Sequence, residues 1–344
     1  MPTNVLVIGP SWVGDMVLAQ SLFKTIKARR PETLIDVAAP GWTLPLLERM
    51  PEVHRTIALP FKHGELGLGS RIRFGRQLRS HRYDQAILLT NSFKSAILPF
   101  AASIPRRTGF LGEARYGLLN DIRPLDKIRL PRTIDRFVAL GLDRFGLDTD
   151  ASPPADIPLP SLTAERQSAE QALHRLGWAV PQTAVLGLCP GAEYGEAKRW
   201  PAEYYGEVAN AALERGWQVW LFGSGKDMPV TGTINQLTEG RCLDLGGKTS
   251  LGEAIDLMSL TTAVVSNDSG LMHVAAALGK KVVAIYGSSD PGHTPPMSTT
   301  AVVHYLGLEC SPCFERECPL GHLKCLRDIL PKQVLADLSF TRRI

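Results

Sequence analysis

No apolar run in this chain of 344 residues reaches the ~18 residues that a membrane span needs, and Met1-Pro2-Thr3-Asn4 leads straight into a strand rather than a signal peptide. These absences predict a soluble protein that is not exported. Two glycine-rich stretches stop short of a nucleotide fingerprint. Gly246-Gly247-Lys248-Thr249 ends as a P-loop does, but Cys242 stands where the earlier glycine belongs; Gly223-Ser224-Gly225 lacks the third glycine of the dinucleotide motif, because position 228 is Met. Neither an NTPase nor a dehydrogenase is supported. No aromatic-interleaved basic module accompanies the chain's cations, so no nucleic-acid partner is expected. Cysteine is sparse, and four of the six, Cys310, Cys313, Cys318 and Cys325, crowd into the tail with His322. A reducing cytoplasm argues against disulfides there. The C-x-x-C start suits a structural metal and the later spacings match no standard zinc half-sites, so reduced thiols in a packed loop stand as the alternative.

What is present reads as an α/β enzyme. The length exceeds a usual single core and 44% hydrophobic content is ample for two. A strand-then-helix phrase recurs: strands at Asn4–Ile8, Leu34–Ala39, Arg55–Leu59 and Asp84–Leu89 alternate with helices at Met16–Arg30, near Trp42–Met50 and near Ser70–His81. That alternation predicts a parallel, doubly wound sheet. Proline-rich, polar sequence at Asp148–Pro160 breaks the pattern and marks a linker. A second series follows, with a helix at Leu162–Leu176, strands at Ala184–Cys189, Gln218–Phe222, Arg241–Leu243, Ala263–Asn267 and Lys281–Tyr286, and helices between them. The expected domains are 1–160 and 161–329, with 330–344 packing back on the first. Two such halves imply a cleft between them, a favoured place for buried ligands.

Charge divides unevenly between the halves. Residues 1–150 hold 22 Lys+Arg against 14 Asp+Glu, and residues 151–344 hold 16 against 20, so a net +4 conceals +8 and −4. The first half suits an anionic partner or a membrane surface. Arg76, Arg79 and Arg82 fall at helical spacing near Arg71, Arg73, Arg106, Arg107 and Arg115; a solvated helix face is the plain alternative.

Two segments in the second half carry the chemistry: Pro190-Gly191-Ala192-Glu193-Tyr194-Gly195-Glu196-Ala197-Lys198-Arg199-Trp200-Pro201, and Ser266-Asn267-Asp268-Ser269-Gly270-Leu271-Met272-His273. Each joins an apolar strand to a helix. Backbone N–H groups at such a turn lack internal partners, and the helix N-terminus carries roughly half a positive charge, so a phosphate or diphosphate is the natural occupant. Lys198 and Ser269-Gly270 would converge on it. Asp268 reads either as a sugar ligand or as a helix cap, Lys198-Arg199 as ligands or a solvated pair, and Trp200-Pro201 as structural, with Pro at the first helical position. Asp227, after the Gly223-Ser224-Gly225 turn, suits a ribose hydroxyl. In the first half the matching loop, Gly9 to Asp15, ends in a carboxylate. Asp15 reads as a dipole-matched cap, worth typically 0.3–1 kcal/mol, or as a base placed to take a proton from a hydroxyl nucleophile.

These segments, with Gly14-Asp15 and the strand before it, resemble the ADP-heptose:lipopolysaccharide heptosyltransferases, glycosyltransferases of GT-B architecture, essentially end to end. The opening Ile8-Gly9-Pro10-Ser11-Trp12-Val13-Gly14-Asp15-Met16 and the tail Cys310-Ser311-Pro312-Cys313-Phe314 through Cys318-Pro319-Leu320-Gly321-His322 are most similar to the heptosyltransferase II branch. The resemblance implies two Rossmann-like domains and an inverting, metal-independent transfer of heptose from ADP-heptose to the first heptose of the inner core. Asp15 would be the base and Lys198 would stabilise the leaving diphosphate. The donor would be held by Gly191, Ala192, Glu193, Lys198, Gly223, Asp227, Asp268, Ser269, Gly270, Leu271 and His273. The inner-core acceptor would meet Ser11, Trp12, Gly14, Arg71, Arg73 and Arg76 at the cytoplasmic face of the inner membrane. A sister enzyme with another acceptor, or a noncatalytic nucleotide-sugar or glycolipid binder, is the rival reading.

Overall fold

The apolar runs at the centre of each sheet become strands buried on both faces, as parallel sheets covered by helices require. In the computed structural model, which describes residues 3–61, 66–142, 156–338 and 340, the first six strands are β1 (Asn4–Ile8), β2 (Leu34–Pro40), β3 (Val53–Leu59), β4 (Gln85–Leu88), β5 (Arg106–Phe110) and β6 (Asp121–Arg123). They pair in parallel in the order β3-β2-β1-β4-β5-β6. The next six are β7 (Val185–Cys189), β8 (Gln218–Leu221), β9 (Leu243–Asp244), β10 (Ala263–Asn267), β11 (Lys281–Ile285) and β12 (Val302–His304), in the order β12-β11-β10-β7-β8-β9. These too are parallel. The chain is therefore two Rossmann-like α/β units, dividing between Pro160 and Ser161.

Each sheet reverses its strand order once, between β1 and β4 in the first and between β7 and β10 in the second. Loops leaving the carboxyl ends of such neighbours run to opposite faces and open a crevice, where open α/β sheets bind ligands. Packing behind the loops holds those ends in place. In the second unit Leu186, Leu188, Val265 and Val283 share a core with Trp200 and Tyr205. In the first, Leu6, Ile8 and Leu88 share one with Ala96 and Leu98 of the helix Phe93–Ala101. Each fully buried aliphatic side chain stabilises by about 1.5–3 kcal/mol.

Several elements differ from the sequence expectation. The helix placed at Leu162–Leu176 spans only Arg166–Arg175, and β5, β6, β12 and the helices Phe93–Ala101 and Thr133–Gly141 are additional. Residues 143–155, which take in most of the segment 148–160 read as a linker, lie outside the described residues; the end of that segment is tied down where Ser21 Oγ donates to the Pro158 carbonyl at 2.6 Å. Sequence placed 330–344 on the first domain, but Val334 and Leu338 are buried in the core of the second. The helix Pro331–Asp337 packs on the helix Ala202–Glu214 there. Its i, i+4 apolar pair matches a groove that already holds Trp217 and Ile329.

Candidate functional site

The two chemistry-bearing turns of the second unit are neighbours because β7 and β10 are, with Ser266 opposite Cys189. Lys198 sits at the end of a short 3-10 turn, Glu196–Lys198, and extends its ammonium to Asp268, Nζ to Oδ2 2.5 Å. Ser289, on a third turn after β11, donates to the same oxygen at 2.6 Å. The Asp268 carboxylate is thus turned toward Lys198 and Ser289, and the N-cap position of the helix Gly270–Ala277 is held by Ser269. Lys198 retains further N–H donors beyond the one on Asp268. It also lies 5.1 Å from the Tyr194 ring centroid. The N–H groups of Gly270 and Leu271 open the helix beside this pair, and both residues are part-exposed.

Asn267, the last residue of a strand and part of the second chemistry-bearing segment, ties the turns together. Its Oδ1 accepts from the Trp200 backbone N–H and the Tyr205 hydroxyl, each at 3.0 Å, while Nδ2 donates to the Pro190 carbonyl at 2.7 Å. This side chain is fully buried. Its partners lie 62 to 77 residues away in sequence, so no local spacing signals the role. The Gly287-Ser288-Ser289 turn was also missed, although a Gly-Ser-Ser run closing an apolar strand was a readable cue.

His273 is buried one turn into the helix, and desolvation lowers its pKa to about 4, with Asp268 opposing that shift and Lys198 adding to it. The imidazole is neutral. Its Nδ1, Arg199 Nε and Ser288 Oγ are buried polar atoms without a partner in the described structure. Buried groups of this kind are ordinarily satisfied, and these three stand in the helix Gly270–Ala277 and on the turns that follow β7 and β11.

Other predicted donor residues are engaged differently. Gly191 is required by close approach, since a Cβ there would stand 2.4 Å from the Asp227 carboxyl. Asp227 accepts from Ser224 N and Oγ at 2.9 and 2.8 Å, capping its own turn behind Gly223. Ala192 is buried, and the Glu193 carboxylate forms a surface ion pair with Lys226. Trp200 is structural, its Nε1 donating to the Ile329 carbonyl at 2.8 Å, and Pro201 stands at the N-cap rather than inside the helix.

In the first unit Trp12 is the N-cap of the helix Val13–Arg29, Gly14 is buried in its first turn, and Asp15 is half-buried beside it. Trp42 Nε1 donates to the Ser11 carbonyl at 3.1 Å, bracing the loop. A cavity of about 90 Å³ lies where the strand order reverses, lined by Ser11, Trp42, Arg71 and residues after β4. Of the three arginines assigned to the acceptor, Arg71 reaches this cavity, whereas Arg73 and Arg76 are exposed and not among its lining residues. Arg82 is not on the helical face expected for it: the helix ends at Gln77 and Arg82 adopts φ 50°. Arg106, Arg107 and Arg115 have structural partners. Arg106 pairs with Asp121 at 3.1 Å, Arg107 donates to the Leu118 carbonyl, and Arg115 is fully buried against the Thr90 carbonyl.

Sequence left the tail thiols as either a structural metal site or reduced thiols in a packed loop. Among the described residues no group of three or more His, Cys, Asp or Glu is arranged to hold an ion. Backbone N–H groups of residues 320–323, Leu323 foremost, donate to the Cys318 sulfur and lower its pKa. Burial, with the neighbouring Cys318, Cys310 and Cys313, pushes Cys325 up to about 11. The tail instead buttresses the first turn: the Tyr194 hydroxyl donates to the Phe314 carbonyl at 2.5 Å and the Ala197 N–H to the Arg316 carbonyl at 3.0 Å.

Comparison with known proteins agrees with this geometry. The model of the family described as glycosyltransferase family 9 (heptosyltransferase) matches residues 71–324. Lipopolysaccharide heptosyltransferase 2 of Escherichia coli K12 is 44% identical over 340 residues, covering 98% of this chain and 97% of that one. The protein of the same name from Salmonella typhimurium is 46% identical, with 97% of each chain covered. The solved structure of E. coli ADP-heptose LPS heptosyltransferase II superposes with a TM-score of 0.88 at 43% identity, covering 98% of this chain and 97% of that one.

Proposed function

The chain belongs to glycosyltransferase family 9, the heptosyltransferases, and on that premise we propose that it moves L-glycero-D-manno-heptose from ADP-heptose to the first heptose of the lipopolysaccharide inner core. The second unit takes the donor. Its diphosphate lies over the Gly270 and Leu271 amides, within reach of Lys198, while Asp268 and His273 meet sugar hydroxyls and the Gly223 turn with Asp227 takes the ribose. The first unit takes the acceptor at Ser11, Trp12, Gly14 and Arg71, with Arg73 and Arg76 supplying outer positive charge.

The Asp15 carboxylate removes the proton from an acceptor hydroxyl. That oxygen bonds to the anomeric carbon as the bond from carbon to the ADP oxygen breaks, so configuration inverts. The transition state resembles an oxocarbenium ion, as in glycoside hydrolysis. Negative charge grows on the departing diphosphate, and preorganised donors aimed at growing charge act most strongly at that moment. The acceptor is a lipid-linked sugar, and the excess of 22 basic over 14 acidic residues in the first 150 supports loose contact with the inner membrane's cytoplasmic face. No helix among the described residues is long and apolar enough to cross a membrane.

The observation that carries this reading is the Lys198–Asp268–Ser289 constellation at the strand-order reversal. Mass spectrometry of truncated inner-core acceptors incubated with ADP-heptose, and separately with other nucleotide sugars, tests it. A gain of one heptose with ADP-heptose alone is expected; transfer from a different nucleotide sugar, or none from any, refutes the assignment.

A further inference from the structure

The tail is laced to two of the turns of the second unit. Ser311 Oγ donates to the Gly287 carbonyl at 2.5 Å, the Phe314 N–H donates to the Ser288 carbonyl at 2.7 Å, and the Arg316 carbonyl accepts from the Ala197 N–H. Gly195 makes room for this approach, since a Cβ there would overlap the Arg316 carbonyl. The backbone of Arg316 is thereby fixed against the turn that carries Lys198. Its side chain returns to the same turn: the guanidinium lies 5.3 Å from the Tyr194 ring centroid, and the Lys198 ammonium lies 5.1 Å from that centroid. The Tyr194 hydroxyl, anchored on the Phe314 carbonyl, ties the ring to the tail.

An aromatic face attracts a cation within about 6 Å of its centroid, so this one ring gathers two. Lys198 is balanced by Asp268, 2.5 Å away. Arg316 is exposed and forms no ion pair among the described residues, its sequence neighbours Glu315 and Glu317 included. Two like charges gathered on one ring repel each other, and a ligand carrying two negative charges or more reverses that cost. The planar fork of a guanidinium matches phosphate oxygens in particular. We propose that Arg316 is a second cation for the diphosphate of the donor, and that Tyr194 is the positioning residue that presents it together with Lys198. This rests on the reading of the second unit as the ADP-heptose site. Charge growing on the departing diphosphate then meets two preorganised cations in place of one.

Calorimetric titration of the full-length protein with ADP, and with adenosine, which has no phosphate, tests it. Arg316→Ala is expected to weaken ADP at least fivefold and adenosine less than twofold, with Arg316→Lys recovering part of the loss. Tyr194→Leu, which removes the ring, is expected to reproduce the loss for ADP, and Tyr194→Phe, which keeps it, to recover most of the affinity. A tail that only supports the fold would move both ligands alike and would not distinguish Phe from Leu at position 194. Unchanged ADP affinity in Arg316→Ala, equal losses for ADP and adenosine, or equal losses in Tyr194→Phe and Tyr194→Leu each overturn the proposal. If the wild type binds ADP but transfers no heptose, the proposed reaction fails and these titrations still decide the role of Arg316. If the wild type does not bind ADP, the donor reading fails by itself and inorganic pyrophosphate becomes the probe: tighter binding to the wild type than to Arg316→Ala supports the second cation, and equal binding or none overturns it.

Discussion

Asp268 lies close enough to His273 to favour its protonation, yet burial outweighs that attraction and lowers the imidazole pKa from 6.5 to about 4. The sign of the consequence follows. As pH falls below the unfolded value of 6.5, the unfolded chain binds this proton before the folded one does, so stability is lost between about pH 6.5 and pH 4, by up to roughly 3 kcal/mol. Above that window the group contributes no slope. Denaturant midpoints measured from pH 7 to pH 4 should therefore fall less steeply for His273→Gln than for the wild type, and identical slopes would show that the imidazole is not held neutral by burial. At this scale the sequence was legible where function lies on one turn. Lys198, Asp268 and Ser269 could be singled out because each follows a strand that announces itself. The tie that Asn267 makes to Trp200, Tyr205 and Pro190 was not legible, because those partners come from distant segments, whereas the Gly-Ser-Ser run that carries Ser289 was a cue left unread.

The elements show how tightly the donor turns are fitted. Gly191 passes the Asp227 carboxyl so closely that a methyl group there would overlap its atoms at 2.4 Å. Asp227 is itself fixed by two hydrogen bonds from Ser224, so it cannot simply swing aside. Gly191→Ala is expected to displace the turn and weaken ADP binding at least tenfold by calorimetry, while thermal unfolding shifts by only a few degrees, as about 1 kcal/mol would produce in a chain of this size. Unchanged ADP affinity would remove this turn from the donor site. Strong strands such as β1, β7 and β10 were readable from their apolar runs. Strands β5, β6 and β12 were not: Arg106-Arg107-Thr108-Gly109-Phe110, Asp121-Ile122-Arg123 and Val302-Val303-His304 are short and, in the first two, charged. Their charges are satisfied by one another, as Arg106 and Arg123 are by Asp121, and no periodicity of a single segment reports such pairing.

For the whole molecule, the alternation of strand and helix was enough to expect two doubly wound units, because each βαβ step leaves few ways to cover a parallel sheet. The tail was misread for the opposite reason. Its placement in the second core depends on a groove beside Trp217 and Ile329 that exists only after that unit has folded. The division of labour proposed here assigns proton removal to one unit and leaving-group stabilisation to the other, so the two functions separate by substitution. Single-turnover formation of glycosylated acceptor by Asp15→Asn, measured beside its affinity for ADP, tests that division most directly. The expected result is a rate lowered by roughly 10²–10⁴, the usual worth of a general base, with ADP affinity within twofold of the wild type. A rate close to that of the wild type would show that Asp15 serves only its helix, and the proposed chemistry would have no base.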